Sequence, residues 1–341
     1  MYSAYGFSGM RIILYSLLFV LLLSTYMYAD PLPIGGDYEE EETLVLSDTV
    51  DGYIVTSRIQ LIGTDLEILP GVTVDFDGSS LWASTENIHM WGSAGNPIDI
   101  LNCQDIWLGD CEEVIIWGTN FEENAGVART TFLRLLENDF VELNDCDFNT
   151  FASGITILGG SNFISECTFT TGAVWGENHG IFLSGRRDSY QECFFALNIF
   201  DQCEIGIWID ELPEEEAYNL DIIKNIFKNC GTGISVINNR DNSIGAYSVL
   251  ISNNVIYNCD DAIGTGHGIL IETDGDTETP LFPHITNNAI FDNEGDGIHV
   301  EVEEHGNEDP FFRPFMMNNV LWENLGDGGW HVWLARHVSP N

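Results

Sequence analysis

The feature that most limits what this chain can fold into is a unit repeated through its second half: Asn, two or three apolar residues, a polar turn, then Gly-Ile-x-Val or a close variant. The copies read NIFDQCEIGIWID from Asn198, NIFKNCGTGISVI from Asn225, NVIYNCDDAIGTGHGILIE from Asn254, NAIFDNEGDGIHVEV from Asn288 and NVLWENLGDGGWHVW from Asn319. Weaker copies begin at Gly154 (GITIL) and Gly180 (GIFLS). Self-similarity at this period signals a stack of like structural units, and it settles the architecture before any domain is drawn. Each unit holds three short β-type stretches, as in AYSVLIS, NVIY and GILIE, and none has helix-length 3.6-residue periodicity. A three-strand coil repeating every 26 to 35 residues is a parallel β-helix. Coils stack about 4.8 Å apart, so equivalent side chains form ladders, and an interior Asn can hydrogen-bond to the Asn above and below. The Gly column runs through 154, 180, 206, 233, 268, 297 and then 328 or 329, where glycine is expected to permit a turn that a Cβ would forbid.

These units resemble the right-handed parallel β-helix repeats of the pectin-lyase-like superfamily. The stretches DLEILPGVTVDFDGSSLWA from Asp65 and GSAGNPIDI from Gly92 are similar to the opening coils of secreted bacterial members. The resemblance covers Thr43 to Trp333 and is least regular from Cys103 to Phe151. It implies an all-β, single-stranded, right-handed parallel β-helix: a three-sheet solenoid of about ten coils and about 50 Å. Handedness comes from the resemblance and the crossover preference, not from the period.

The expected organisation is a signal peptide at residues 1–29 and one β-helix domain at 30–341, with 30–56 as the amino-terminal cap. The apolar run Ile12–Leu23, after Met10 and Arg11, has the length of a signal-peptide core and is too short to span a bilayer. Cleavage after Ala29 would leave no transmembrane helix and place the protein outside the cell or on its surface. Open strand edges at the rod's ends need covers, and Asp37–Thr56 is placed over the first. HVWLARHVSPN stops within what reads as another coil, so truncation before a further cap or anchor is expected.

Eight cysteines in an exported chain invite disulfides. Cys203, Cys230 and Cys259 nevertheless share one repeat column, where a small apolar thiol fills space, and no Cys-x-x-Cys pair occurs.

Composition bears on partners. The chain has 54 Asp+Glu against 11 Lys+Arg, a formal charge of −43, which excludes nucleic acid and anionic membranes as direct partners. It is 44% hydrophobic and 12% aromatic, enough for a substantial core. In the resemblance, the sheet made by the Gly-Ile strands carries the substrate groove. Alternation places Thr156, Phe182, Trp208, Ser235, Leu270, His299 and His331 outward in one column, and Leu158, Ser184, Asp210, Ile237, Glu272 and Glu301 in the next. Aromatic rings beside carboxylates suit a sugar-binding face, which singles out Phe182, Trp208 and His299 as ligand-binding residues.

The segments after this strand are acidic: DELPEEEAYN, ETDGDTETP and EVEEHGNEDPFF. They are expected to form one wall that could recruit Ca²⁺ through Asp274, Asp276, Glu303 and Glu304, in an order that is not an EF-hand. Asp260-Asp261 and Gly266-His267-Gly268 echo polygalacturonase motifs, but five residues separate Asp261 from Gly266, placing both on one coil, where that family uses successive coils. The Asn-Thr-Asp and Arg-Ile-Lys motifs are missing.

Two readings follow. The first is an exported β-helix that binds extracellular polysaccharide or cell-envelope glycan without catalysis. The second is a carbohydrate-active enzyme using Asp210, Glu272 and Glu301. Glu272 and Glu301 fall on consecutive coils, and a retaining hydrolase pair needs carboxyl groups about 5 to 5.5 Å apart, an inverting pair about 6.5 to 9.5 Å. A lyase fits less well, because the basic residues Arg186, Arg187, Lys224, Lys228 and Arg240 lie outside the groove column. Neutral glycans suit so acidic a groove better than polyuronates.

Overall fold

A computed structural model describes residues 31–39, 43–47, 52–122, 132–150, 153–171, 178–184, 190–210, 218–238, 247–260, 264–274, 281–305, 314–325 and 332–339. The signal segment, most of the acidic wall, Asp261, Asp276 and His331 lie outside the described residues.

The strands stack in parallel into a solenoid with three faces. One coil shows the plan: Tyr218–Ile223, a corner, Ile226–Lys228, a second corner, then Thr232–Asn238. Each strand pairs in parallel with its counterpart one coil on, at Tyr247–Ser252, Val255–Tyr257 and Ile269–Asp274. The first face is an 11-stranded sheet. The short-strand and Gly-Ile faces are continuous through Tyr53–Ile62, which bends across both. Leu32–Glu39 lies parallel on the edge of Tyr53–Ile62, so the terminal rung falls within the segment assigned to the cap. Among the described residues no helix is long and apolar enough to cross a membrane.

Inside, alternate residues of successive strands form ladders. Phe121, Phe148, Phe169, Phe200 and Phe227 stack face to face with successive ring centroids 4.6, 4.8, 4.9 and 4.7 Å apart. Those separations match the coil spacing, so each of the three inner rings has both faces covered by its neighbours. At the corner before the short strand, Asn198, Asn225, Asn254, Asn288 and Asn319 form the expected ladder. From Asn225 onward each Oδ1 accepts from the preceding Asn, through its backbone N–H at 2.8–3.0 Å and its side-chain amide at 3.0–3.1 Å, while Asn198 Oδ1 accepts the Cys167 N–H at 2.9 Å. Each Nδ2 also donates to a carbonyl of the preceding coil, as from Asn225 to Phe195 at 2.9 Å.

The second corner carries Cys203, Cys230 and Cys259. Cys203 and Cys230 donate toward carbonyls of the preceding coil at 3.8 and 3.7 Å, taking the donor half of the asparagine's role. The column then passes through Cys259 to Asn293 and Asn324. All eight cysteines are buried thiols. Burial pushes Cys259 up to about 12, a poor nucleophile and a poor metal ligand.

The reason given above for the glycine column needs correction. The left-handed turns fall on non-glycine residues immediately before each ladder position: Leu197, Lys224, Asn253, Asn287 and Asn318 at the first corner, and Gln202, Asn229, Asn258, Asp292 and Glu323 at the second. Gly154, Gly180, Gly206, Gly233 and Gly268 are needed for close approach instead. A Cβ on Gly206 would lie 2.5 Å from the Phe227 ring and 2.6 Å from the Gly233 carbonyl oxygen.

Candidate functional site

The outward column of the Gly-Ile sheet is longer than sequence alternation alone gave. In register it runs Gln60, Trp82, Trp107, Arg134, Thr156, Phe182, Trp208, Ser235, Leu270, His299 and Trp333. The last rung is in register at Trp333, of which only the backbone is described, whereas His331 was expected there. Ser235 and Leu270 are covered, at 1% and 6% exposure, which divides the face into an aromatic amino-terminal stretch and a carboxy-terminal stretch where His299 lies beside Glu272 and Glu301 of the next column.

In the aromatic stretch, Trp82 and Trp107 stack at 5.5 Å with planes 30° apart. Arg58, held by Gln60 at 3.0 Å, lies over the Trp82 ring 5.1 Å from its centroid. Arg134 follows Trp107 in the column and lies 3.4 Å from Asp105. Two of the chain's 11 Lys and Arg thus sit against this aromatic strip. Further along, Phe182 and Trp208 meet at 4.9 Å, as their neighbouring register requires. Behind them, buried His179 packs edge-on against Trp208 at 4.6 Å, and burial holds it down to about 4, so it is neutral at pH 7.

In the carboxy-terminal stretch, Glu272 and Glu301 are register partners on adjacent coils, and Asp210 lies two coils before Glu272 in the same column. The structure brings the two glutamates together and leaves Asp210 apart. Burial, then the neighbouring charge of Glu301, raises the pKa of Glu272, with His299 opposing. Glu272 therefore keeps its proton to higher pH than an ordinary carboxylic acid. Asp274 and Glu303 are also register partners, and Glu304 follows on the same strand; of these three only the backbone is described.

His299 has more partners than the sugar-facing role assigned to it required. Its Nδ1–H donates to Asp296 Oδ2 at 2.8 Å, its Nε2 lies 3.8 Å from Glu301 Oε2, and its ring stacks on His267 at 4.4 Å. His267, a variable turn position by sequence, accepts the Asp296 backbone N–H on Nδ1 at 2.9 Å.

Sequence reasoning missed Trp82, Trp107, Arg58 and Arg134 because the column was traced only through units with a recognisable Gly-Ile. The alternation in SSLWAS and DIWLG carried the signal. It missed Asp296 because that position holds His179, Ile205, Thr232 and His267 in other coils, and nothing local distinguishes it.

No curated protein matches the sequence. Among solved structures the chain is similar to the Streptococcus pneumoniae surface protein and adhesin PfbA, at 12% identity over 90% of this chain and 91% of that one, with a TM-score of 0.33. The family model described as "Right handed beta helix region" matches residues 105–301, more than half of the chain, and the described residues of that span form a parallel solenoid. The chain belongs to the right-handed β-helix family.

Proposed function

We propose that this protein is an exported or surface-displayed β-helix that binds extracellular glycans along the outward column of the Gly-Ile sheet. The observation that carries the reading is the in-register strip of Trp82, Trp107, Phe182 and Trp208 on one face. Aromatic rings on a rigid sheet offer apolar faces to pyranose C–H groups at little entropic cost, and flanking Arg58, Arg134 and Asp210 supply partners for hydroxyls. The charge of −43 favours neutral polysaccharides over polyanions. The apolar run Ile12–Leu23 supports export. Affinity electrophoresis against neutral and acidic polysaccharides tests the reading. A neutral glycan should retard the protein, and Trp208→Ala together with Trp82→Ala should abolish the retardation. Equal mobility of the variant and the parent on every retarding glycan overturns it.

One observation favours a second reading, glycoside hydrolysis: Glu272, its pKa raised by burial and by the charge of Glu301, lies next to Glu301 in register. Glu272 would then donate to the glycosidic oxygen, and Glu301 would serve as base or nucleophile. Reducing ends released by the parent and lost in both Glu272→Gln and Glu301→Gln would establish it. Ca²⁺ at Asp274, Asp276, Glu303 and Glu304 is proposed as a structural ion of the acidic segments, supported by the Asp274–Glu303 register. A melting temperature that does not respond to chelation by EGTA removes it.

A further inference from the structure

Asp296 is a carboxylate where a carboxylate is costly. It is 4% exposed, and among the described residues no lysine or arginine pairs with it. One oxygen, Oδ2, accepts from His299, while the other, Oδ1, is buried with no hydrogen-bond partner. The surroundings add negative potential, since Glu301 lies 3.8 Å from the far side of His299 and Glu272 is next to Glu301 in register. A buried carboxylate with one idle oxygen calls for a cation.

We infer that His267, Asp296 and His299 form a site for a borderline transition-metal ion, with Zn²⁺ the best fit. One donor atom from each residue lies within 4.8 Å of the others. The imidazole edges also match. Both Nδ1 atoms face Asp296, that of His267 at 2.9 Å from its backbone nitrogen and that of His299 at 2.8 Å from its carboxylate. Because His267 Nδ1 accepts a hydrogen bond, its proton resides on Nε2, which is the tautomer that ligation through Nδ1 requires. For His299, ligation through Nδ1 moves the ring proton to Nε2, toward Glu301. A carboxylate behind a ligating histidine is the usual outer-shell partner of zinc.

The ion would displace the proton now shared by His299 and Asp296, and the rings would tilt together to reach bonds of about 2.0–2.1 Å. Ligation also exchanges the Asp296 N–H bond to His267 for a metal bond. Two imidazoles and one carboxylate leave a fourth tetrahedral position for water or a sugar oxygen. Imidazole nitrogens select a zinc-like ion over Ca²⁺, which distinguishes this site from the acidic segments.

Titration calorimetry of the full chain with Zn²⁺, after chelator treatment, tests the inference, with Co²⁺ absorption reporting the ligand set. The expected result is one Zn²⁺ per chain and a tetrahedral Co²⁺ spectrum without thiolate charge-transfer bands. Asp296→Asn and His267→Gln, each confirmed as folded by circular dichroism, should weaken binding at least tenfold while leaving Ca²⁺ binding unchanged. If one variant fails to fold, the other carries the test, and His299→Gln replaces it. Absence of one-to-one Zn²⁺ binding overturns the inference, as do thiolate bands or affinity that survives in the folded variants.

Discussion

Along the asparagine corner, Asn198, Asn225, Asn254, Asn288 and Asn319 make the same bonds at every coil. Along the outward column of the Gly-Ile sheet the residue changes at nearly every step, from Trp107 to Arg134 to Thr156 to Phe182. The difference follows from what each column touches. A buried polar group at a corner can be satisfied only by the coil above or below, so every coil must offer the same donor and acceptor. An outward side chain faces solvent, and stacking does not require it to repeat. Repetition therefore marks what holds the rod together, and departures from repetition on the outer face are where binding chemistry is to be sought. By that criterion the positions that stand out are the change from Trp107 to Arg134 in the outward column and the change from His267 to Asp296 beside His299.

The contrast can be tested from its inner side first. Phe200→Ala removes a fully buried ring sandwiched at 4.9 and 4.7 Å, and should cost about 4 kcal/mol. Asn225→Ala comes next, at about 3 kcal/mol. It removes the acceptor for the backbone N–H and for one side-chain N–H of Asn198, whose Nδ2 keeps its bond to the Ile164 carbonyl, and it removes the donor to the Phe195 carbonyl. Urea denaturation followed by far-ultraviolet circular dichroism measures both. A solenoid need not unfold in one step, so the comparison should use the first transition. If Asn225→Ala costs less than 1 kcal/mol, the ladder is not what fixes the corner.

A third prediction concerns the layer between core and surface, where His179 supports the aromatic strip from behind. Burial lowers its pKa from the ordinary 6.5 to about 4. Between those values the unfolded chain binds a proton that the folded chain refuses, so stability falls as pH falls. The contribution is complete above pH 6.5 and declines by about 2.5 kcal/mol on reaching pH 4.5. Every carboxylate titrates on the same path, so the measurement is the difference between the parent and His179→Gln. The parent should lose more stability from pH 7 to 4.5 than the variant does, and parallel curves would remove His179 from the account.

The inner regularity was legible in the sequence because ladders force identical residues to recur at fixed places, as the five Asn-led units do. The glycine column was legible by position but not by cause. Sequence cannot show that a ring from the neighbouring strand, Phe227 against Gly206, occupies the volume a Cβ would need, nor that Lys224 and Leu197 take the left-handed turn. The aromatic strip was half legible. Phe182 and Trp208 lie in units with a Gly-Ile signature, whereas Trp82 and Trp107 lie in early coils without one, where register comes only from pairing. His267 and Asp296 could not be joined by sequence, since 29 residues separate them and only the coil length brings them together.

The smallest expected change in stability is also the most informative about function. Trp82 is 39% exposed and touches Trp107 and Arg58 on the outer face, so Trp82→Ala should shift unfolding by less than about 1 kcal/mol. If the outward column is the glycan track, the same substitution should weaken binding of the retarding polysaccharide by about tenfold, or about 1.4 kcal/mol. A glycan long enough to reach from Trp82 to Trp208 crosses five steps of register, through Trp107, Arg134, Thr156 and Phe182. Short oligosaccharides should therefore be sensitive to one end only. An oligosaccharide that loses affinity in Trp208→Ala but not in Trp82→Ala, alongside a long polysaccharide sensitive to both, would place the ligand along the rod axis. Equal sensitivity of short and long ligands to both substitutions would mean that the two ends report on the fold and not on the track.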